Sequence, residues 1–143
     1  METLSEFSFH SEDILFVLKK KPAIISWLSY SVKNETKIVG EISYIFCSDE
    51  YLYDINLKHL KHDTLTDIIT FDYCEEKIVN GDIYISIDRI KENAKLFNNS
   101  IENELHRVMI HGVMHLCGYK DKTPEDQNVM SAKEDFYLNL RNF

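Results

Sequence analysis

Between Ile101 and Cys117 the chain reads IENELHRVMIHGVMHLC, and the later part of this segment (Val108, Met109, Ile110, Val113, Met114, Leu116, Cys117) is apolar nearly all round a helix. A helix without a polar face has to be buried, so the fold must be built round this one element. Asn99, with Glu102 three residues on, makes a capping pair for its start, and Gly118 can take the left-handed conformation that ends it. With 143 residues, of which 44% are hydrophobic and 28% charged, the chain has enough apolar surface to bury such a helix within one globular domain spanning 1–143.

The remaining segments supply the packing partners. Ser5 to His10 alternates weakly, as an edge strand does, and Pro22 sits in the first turn of a helix to about Asn34 whose apolar side carries Ile24, Trp27, Leu28 and Ser31. Lys37 to Cys47 reads as a strand, and Ser48-Asp49-Glu50 caps a short helix to about Leu60. Thr66 to Tyr73 and Gly81 to Ile87 read as two further strands joined by a charged connection short enough for a hairpin or a long turn. From Asp88 the pattern is helical to a break at Asn98-Asn99, and Thr123-Pro124 opens a last amphipathic helix to about Leu140. The expected class is α+β: a small mixed sheet of about four strands packed with about five helices, with strand order unread.

The buried helix also carries chemistry. His111 and His115 are four residues apart, so both imidazoles leave the same face one turn apart, within reach of a single metal ion. Each would otherwise need its own buried partner, and an unpaired buried polar group costs roughly 1 to 3 kcal/mol; a shared ion satisfies both. His10, His59, His62 and His106 lack this arrangement and are read as hydrogen-bonded core histidines. Past Gly118, Asp121 is the first strong ligand where the chain folds back over the helix end, although a plain turn carboxylate would look the same. Three protein ligands leave a fourth position for water, as in hydrolytic zinc sites; nickel and other divalent ions suit the same donors. The glutamate that follows the first histidine in HExxH metalloproteases is here Gly112, which counts against a protease. Cys117, two residues past His115, points to another side of the helix and is expected in the core.

The net charge of −8 argues against nucleic-acid binding by bulk electrostatics. Any attraction to RNA must come from a local patch, for which Lys58, His59, Lys61 and His62 are candidates with Lys120 and Lys122, unless these are an ordinary solvated surface. Three widely spaced cysteines, Cys47, Cys74 and Cys117, suit buried free thiols in a reducing compartment. With no basic, apolar leader and no window long enough to span a bilayer, a cytoplasmic protein without a membrane partner is expected.

The run His111-Gly112-Val113-Met114-His115-Leu116-Cys117-Gly118-Tyr119 resembles the HGxLHLxGYDH signature of the YbeY family, bacterial endoribonucleases of ribosomal RNA maturation. Upstream, Asn56 and then Asp63-Thr64-Leu65-Thr66-Asp67-Ile68-Ile69-Thr70-Phe71 resemble its DxxTDVLSF segment, and Gly81 to Ser86 resembles its GDIxIS strand. The resemblance covers roughly Lys37 to the C-terminus. It implies a metal-dependent endoribonuclease specific for single-stranded RNA, acting in maturation of the 3′ end of small-subunit rRNA and in ribosome quality control, with rRNA and the ribosome or its proteins as partners. The family's three metal-binding histidines correspond to His111, His115 and the position of Asp121. The signature's closing Asp-His reads Lys120-Asp121 here, so a carboxylate stands in for the third histidine. The family's arginine four residues after the asparagine is Leu60 in this chain, with Lys61 as a candidate substitute.

The expected mechanism is phosphodiester cleavage at the metal, most simply zinc, with nearby basic groups offsetting developing charge. Asp67 is a candidate for supporting the ligands or handling protons, or else a turn residue at the start of a strand. The missing arginine motivates an alternative, a ribosome assembly factor with a structural metal and little catalysis. A fourth protein ligand such as Cys117 would mark that case.

Overall fold

The computed structural model describes residues 6–60 and 66–143. The chain runs β1 (Phe7–Ser11), α1 (Lys21–Asn34), β2 (Ile38–Cys47), α2 (Asp49–Ile55), a π-helical turn (Asn56–Leu60), β3 (Ile68–Asp72), β4 (Ile78–Ser86), α3 (Ile87–Leu96), α4 (Ile101–Leu116) and α5 (Pro124–Leu138). The four strands form one mixed sheet in the order β1-β2-β4-β3. β1 and β4 lie parallel to β2 on either side, while β3 pairs antiparallel with β4 and forms the other edge, so of the two forms open to the charged connection the hairpin is present. The α+β class, the four-stranded mixed sheet and the five α-helices match the expectation, among the described residues.

The apolar segment that dominates the sequence becomes α4, and ten of its sixteen residues are buried. Its close approach to the sheet is made at Gly112, where an added Cβ would lie 3.0 Å from Ile68 Cδ1 and from Ile83 Cγ2. One turn earlier the buried Tyr44 hydroxyl of β2 donates to the Met109 carbonyl at 2.8 Å. On the far side α1 and α5 close the core, where Trp27 Nε1 donates to the Tyr137 carbonyl at 2.7 Å. The α1 face of Ile24, Trp27, Leu28 and Ser31 is buried as its periodicity requires, with Val32 added. Position 112 thus faces the sheet, while His111 and His115, one and three residues away, line a cavity at the flank of the helix together with Ile68 and Thr70 of β3.

Several local features differ from the sequence reading. The N-cap of α4 is Ser100, whose hydroxyl accepts from Asn103 N at 3.0 Å. Asn99 accepts instead from Ser100 N and Asn103 Nδ2, which moves the cap one residue on and dissolves the expected pairing with Glu102. The helix after Ser48 loses α geometry at Asn56 and continues as a π turn. His10 and His59 are exposed, so they are surface and not core residues. Cys47 and Cys117 are buried free thiols, whereas Cys74 is only half-buried. Lys61, His62 and the Asp63-Thr64-Leu65 part of the family-like segment lie outside the described residues, as does the side chain of Leu60.

His106 is the core histidine expected: it is 1% exposed, and its Nδ1 accepts from Arg141 Nη1 at 2.7 Å. Burial, reinforced by the Arg141 charge, lowers its pKa to about 4. The unfolded chain therefore takes up a proton near pH 6.5 that the folded protein refuses until about pH 4, so stability falls as pH drops through that window. The expected loss from this group is on the order of 3 kcal/mol between pH 7 and pH 4. Urea unfolding at stepped pH should show a shallower acid loss for His106→Gln than for the wild type; equal slopes would count against the assignment.

Candidate metal centre

His111 and His115 lie on the last two turns of α4, where both line a cavity shared with Ile68 and Thr70 of the edge strand β3. Their rings are 4.6 Å apart between centroids and almost perpendicular, at 80°. After α4, Gly118 adopts φ 110°, a left-handed conformation that reverses the chain. The reversal carries Asp121 back over the helix end, as expected. Asp121 Oδ2 lies 3.3 Å from His111 Nε2 and 3.5 Å from His115 Nε2. These three donor atoms lie within 4.8 Å of one another.

The spacing suits an ion better than a direct bond. A charge-assisted hydrogen bond would draw the atoms to about 2.7–2.9 Å. Donors about 2.0–2.2 Å from one tetrahedral ion sit roughly 3.3–3.5 Å from each other. The opposite ring nitrogens are already committed, since His111 Nδ1 is 2.6 Å from Glu134 Oε2 and His115 Nδ1 is 2.9 Å from the Tyr119 carbonyl. A carboxylate and a carbonyl can only accept there, so each Nδ1 carries a proton, and in the neutral form of either ring the lone pair is at Nε2, facing Asp121. This is how metal-binding histidines are held in other proteins, with the outer nitrogen donating to a carboxylate or backbone oxygen. The residues present therefore fit a divalent transition-metal ion. Cys117 lies in the hydrophobic core, outside this donor group.

Electrostatics divides the two imidazoles. Burial disfavours charge on His111, but the hydrogen-bonded Glu134 carboxylate, with Asp121 and Asp67 nearby, outweighs it and raises the pKa. Burial together with the neighbouring His111 lowers that of His115.

Glu134, on α5, was not singled out from the sequence. Its signal was present: it stands on the stripe of Met130, Tyr137 and Leu138 that α5 buries, where an unpaired acid would be costly. It is paired twice. Oε1 accepts from Arg107 Nη1 at 2.8 Å while Oε2 takes His111, and Arg107 Nη2 reaches Asp135 at 2.7 Å. Arg107, one turn before His111, is thereby occupied by carboxylates.

The donors open into a cavity of about 380 Å³ whose wall includes Asp67, Glu104, Arg107 and Thr70. Asp67 sits at the bend before β3, on the wall of the cavity that His111 and His115 share. Its carbonyl accepts from Ser86 N at 3.0 Å just before β3. Burial raises the pKa of its carboxyl, with His111 opposing. Glu104 is buried, and its pKa is raised by that burial and by Asp67. Of the basic patch, Lys58, Lys120 and Lys122 are exposed, and Lys58 pairs with Asp54 at 3.1 Å. Asn56 is buried.

Residues 10–142 match the family described as Endoribonuclease YbeY. Among similar proteins, the endoribonuclease YbeY of Flavobacterium psychrophilum is 52% identical over 133 residues, covering 93% of this chain and 94% of that one. That of Cytophaga hutchinsonii is 50% identical over 136 residues, covering 94% and 95%. A solution structure of a Thermotoga maritima protein superposes with a TM-score of 0.66 at 30% identity, covering 93% of this chain and 87% of the other.

Proposed function

Since the chain belongs to the endoribonuclease YbeY family, we propose that it is a metal-dependent endoribonuclease cutting single-stranded RNA, in maturation of the 3′ end of small-subunit rRNA and in ribosome quality control. His111, His115 and Asp121 hold one divalent ion in this reading, zinc by preference and nickel as the alternative. What carries it is the convergence of two Nε2 atoms and one carboxylate oxygen at 3.3 and 3.5 Å, with both outer nitrogens already bonded. A closed structural site would need a fourth protein ligand, and Cys117, the candidate for it, sits in the core, which favours a catalyst over a scaffold.

A bound ion supplies Lewis-acid stabilisation of charge developing on the phosphate. The chain's own residues do the rest. Glu134 and the Tyr119 carbonyl hold the two imidazoles as neutral donors, ready at Nε2. Asp67, its carboxyl pKa raised by burial, holds or releases a proton at the cleft wall beside the reacting phosphate. The exposed ammonium groups of Lys120 and Lys122, next to Asp121 in the chain, draw the RNA backbone towards the cleft in a protein of overall negative charge. No helix among the described residues is long and apolar enough to cross a membrane, and a cytoplasmic site of action beside the ribosome accords with this reading.

The test is cleavage of a single-stranded RNA oligonucleotide by protein as purified, stripped with a chelator, and reloaded with Zn²⁺ or Ni²⁺. Stripping should abolish cleavage and one of the two ions should restore it. Full cleavage by metal-free protein would refute the mechanism.

A further inference from the structure

The loop that brings Asp121 back over α4 is held from outside the site by one acid at the end of α1. Glu35 follows the last residue of that helix, and its side chain is only 8% exposed. Three donors converge on its carboxylate. The Tyr119 hydroxyl donates to Oε1 at 2.6 Å, Lys133 Nζ donates to Oε2 at 3.0 Å, and the Tyr137 hydroxyl also donates to Oε2. The Lys133 ammonium stands 5.2 Å from the centre of the Tyr119 ring, closing the group on itself. A neutral amide at position 35 would keep the volume but lose the charge that Lys133 balances and half of its accepting capacity.

Tyr119 links this group to the donor atoms. Its N–H donates to the Met114 carbonyl at 3.0 Å, its own carbonyl accepts from His115 Nδ1 at 2.9 Å, and Asp121 is two residues further along the chain. The residue is therefore hydrogen-bonded at three points, two of them to α4 and the third, at the hydroxyl, to Glu35 beyond α4 and the loop. Among the described residues, Glu35 is the acceptor for that hydroxyl. Lys133 immediately precedes Glu134, the carboxylate on His111, so the same acid also bears on the α5 side of the site.

We propose that Glu35 is a positioning residue for the metal centre, acting through Tyr119 to set the orientation of His115 and the return path of Asp121. This rests on the reading of His111, His115 and Asp121 as metal ligands. A carboxylate that served only as glue between α1, α5 and the loop would bind the same three donors. The two roles separate at Tyr137, whose hydroxyl uses the same carboxylate but has no bond to the loop.

The experiment uses Co²⁺ as the probe, with affinity read by competition against a chromophoric chelator and geometry read from visible d–d absorption. Glu35→Gln and Tyr119→Phe are each expected to weaken Co²⁺ binding about tenfold and to alter the absorption bands. Tyr137→Phe is expected to keep both within twofold while lowering the thermal midpoint as Tyr119→Phe does. If Glu35→Gln does not fold, the comparison of Tyr119→Phe with Tyr137→Phe decides alone. Wild-type affinity and spectrum in Tyr119→Phe would overturn the positioning role, as would equal losses in both tyrosine variants. Failure of the wild type itself to bind Co²⁺ would overturn the metal assignment, a different outcome from either.

Discussion

Protein carrying His115→Ala is expected to purify folded, to hold no stoichiometric zinc, and to cleave single-stranded RNA on the order of a thousandfold more slowly than the wild type. The rate figure is several kcal/mol of lost transition-state stabilisation. His115 is on the exposed flank of α4, its side chain 26% accessible, so truncation removes a donor without opening the core. His111→Ala should match it in metal content and activity but lose more stability. Its side chain is 18% exposed and its removal strips Glu134 of one of two partners in a buried setting. Glu134→Gln should fall between wild type and the alanine variants, weakening the ion roughly 10- to 100-fold, because the ligand remains but its outer hydrogen bond changes. Metal content by elemental analysis and initial rates on one oligonucleotide check the series together. Cleavage by His115→Ala at the wild-type rate would remove the site from the chemistry.

The second large effect is on stability. Gly112→Glu would write HExxH into α4, and it is expected to unfold the protein instead of making a protease. The first atom of any side chain there already meets Ile68 and Ile83 at 3.0 Å. Overpacking of this kind costs about 1–3 kcal/mol, and a carboxylate pressed between helix and sheet adds an unpaired buried charge worth several kcal/mol more. The sum approaches the whole stability of an ordinary domain, about 5–15 kcal/mol. Gly112→Ala is the control. Its methyl meets methyl groups of Ile68 and Ile83 at 3.0–3.1 Å, which a shift of a few tenths of an ångström relieves, so the denaturant midpoint should move a little where the glutamate variant loses its folding transition. A cooperatively folded Gly112→Glu protein would show that α4 can draw away from the sheet.

These two outcomes mark how far the sequence could be read. The burial of α4 was legible because an apolar helix has nowhere else to go. The pairing of His111 with His115 was legible because four residues bring side chains to one face. Asp121 could be named as third donor because Gly118 had to break the helix and a strong ligand followed. The cap of α4 was misread by one residue, since Asn99 and Ser100 both offer an oxygen and the choice rests on backbone geometry. His10 and His59 were placed in the core on residue type, and the structure puts both on the surface, where strand edge and helix end meet solvent.

Local spacing along α4 and its terminating glycine thus determined, without coordinates, which element is central and which side chains can share an ion. Glu134 and Glu35 are different in kind. They lie 23 residues from His111 and 84 from Tyr119, and nothing in a linear chain says that a carboxylate on α5 or at the end of α1 reaches them. Only tertiary packing decided that, because α1 and α5 close over α4 and leave Glu35 and Glu134 little solvent, their side chains 8% and 10% exposed. There an acid persists only by finding donors, and the donors available are the His111 imidazole, the Arg107 guanidinium, the Lys133 ammonium and the phenols of Tyr119 and Tyr137.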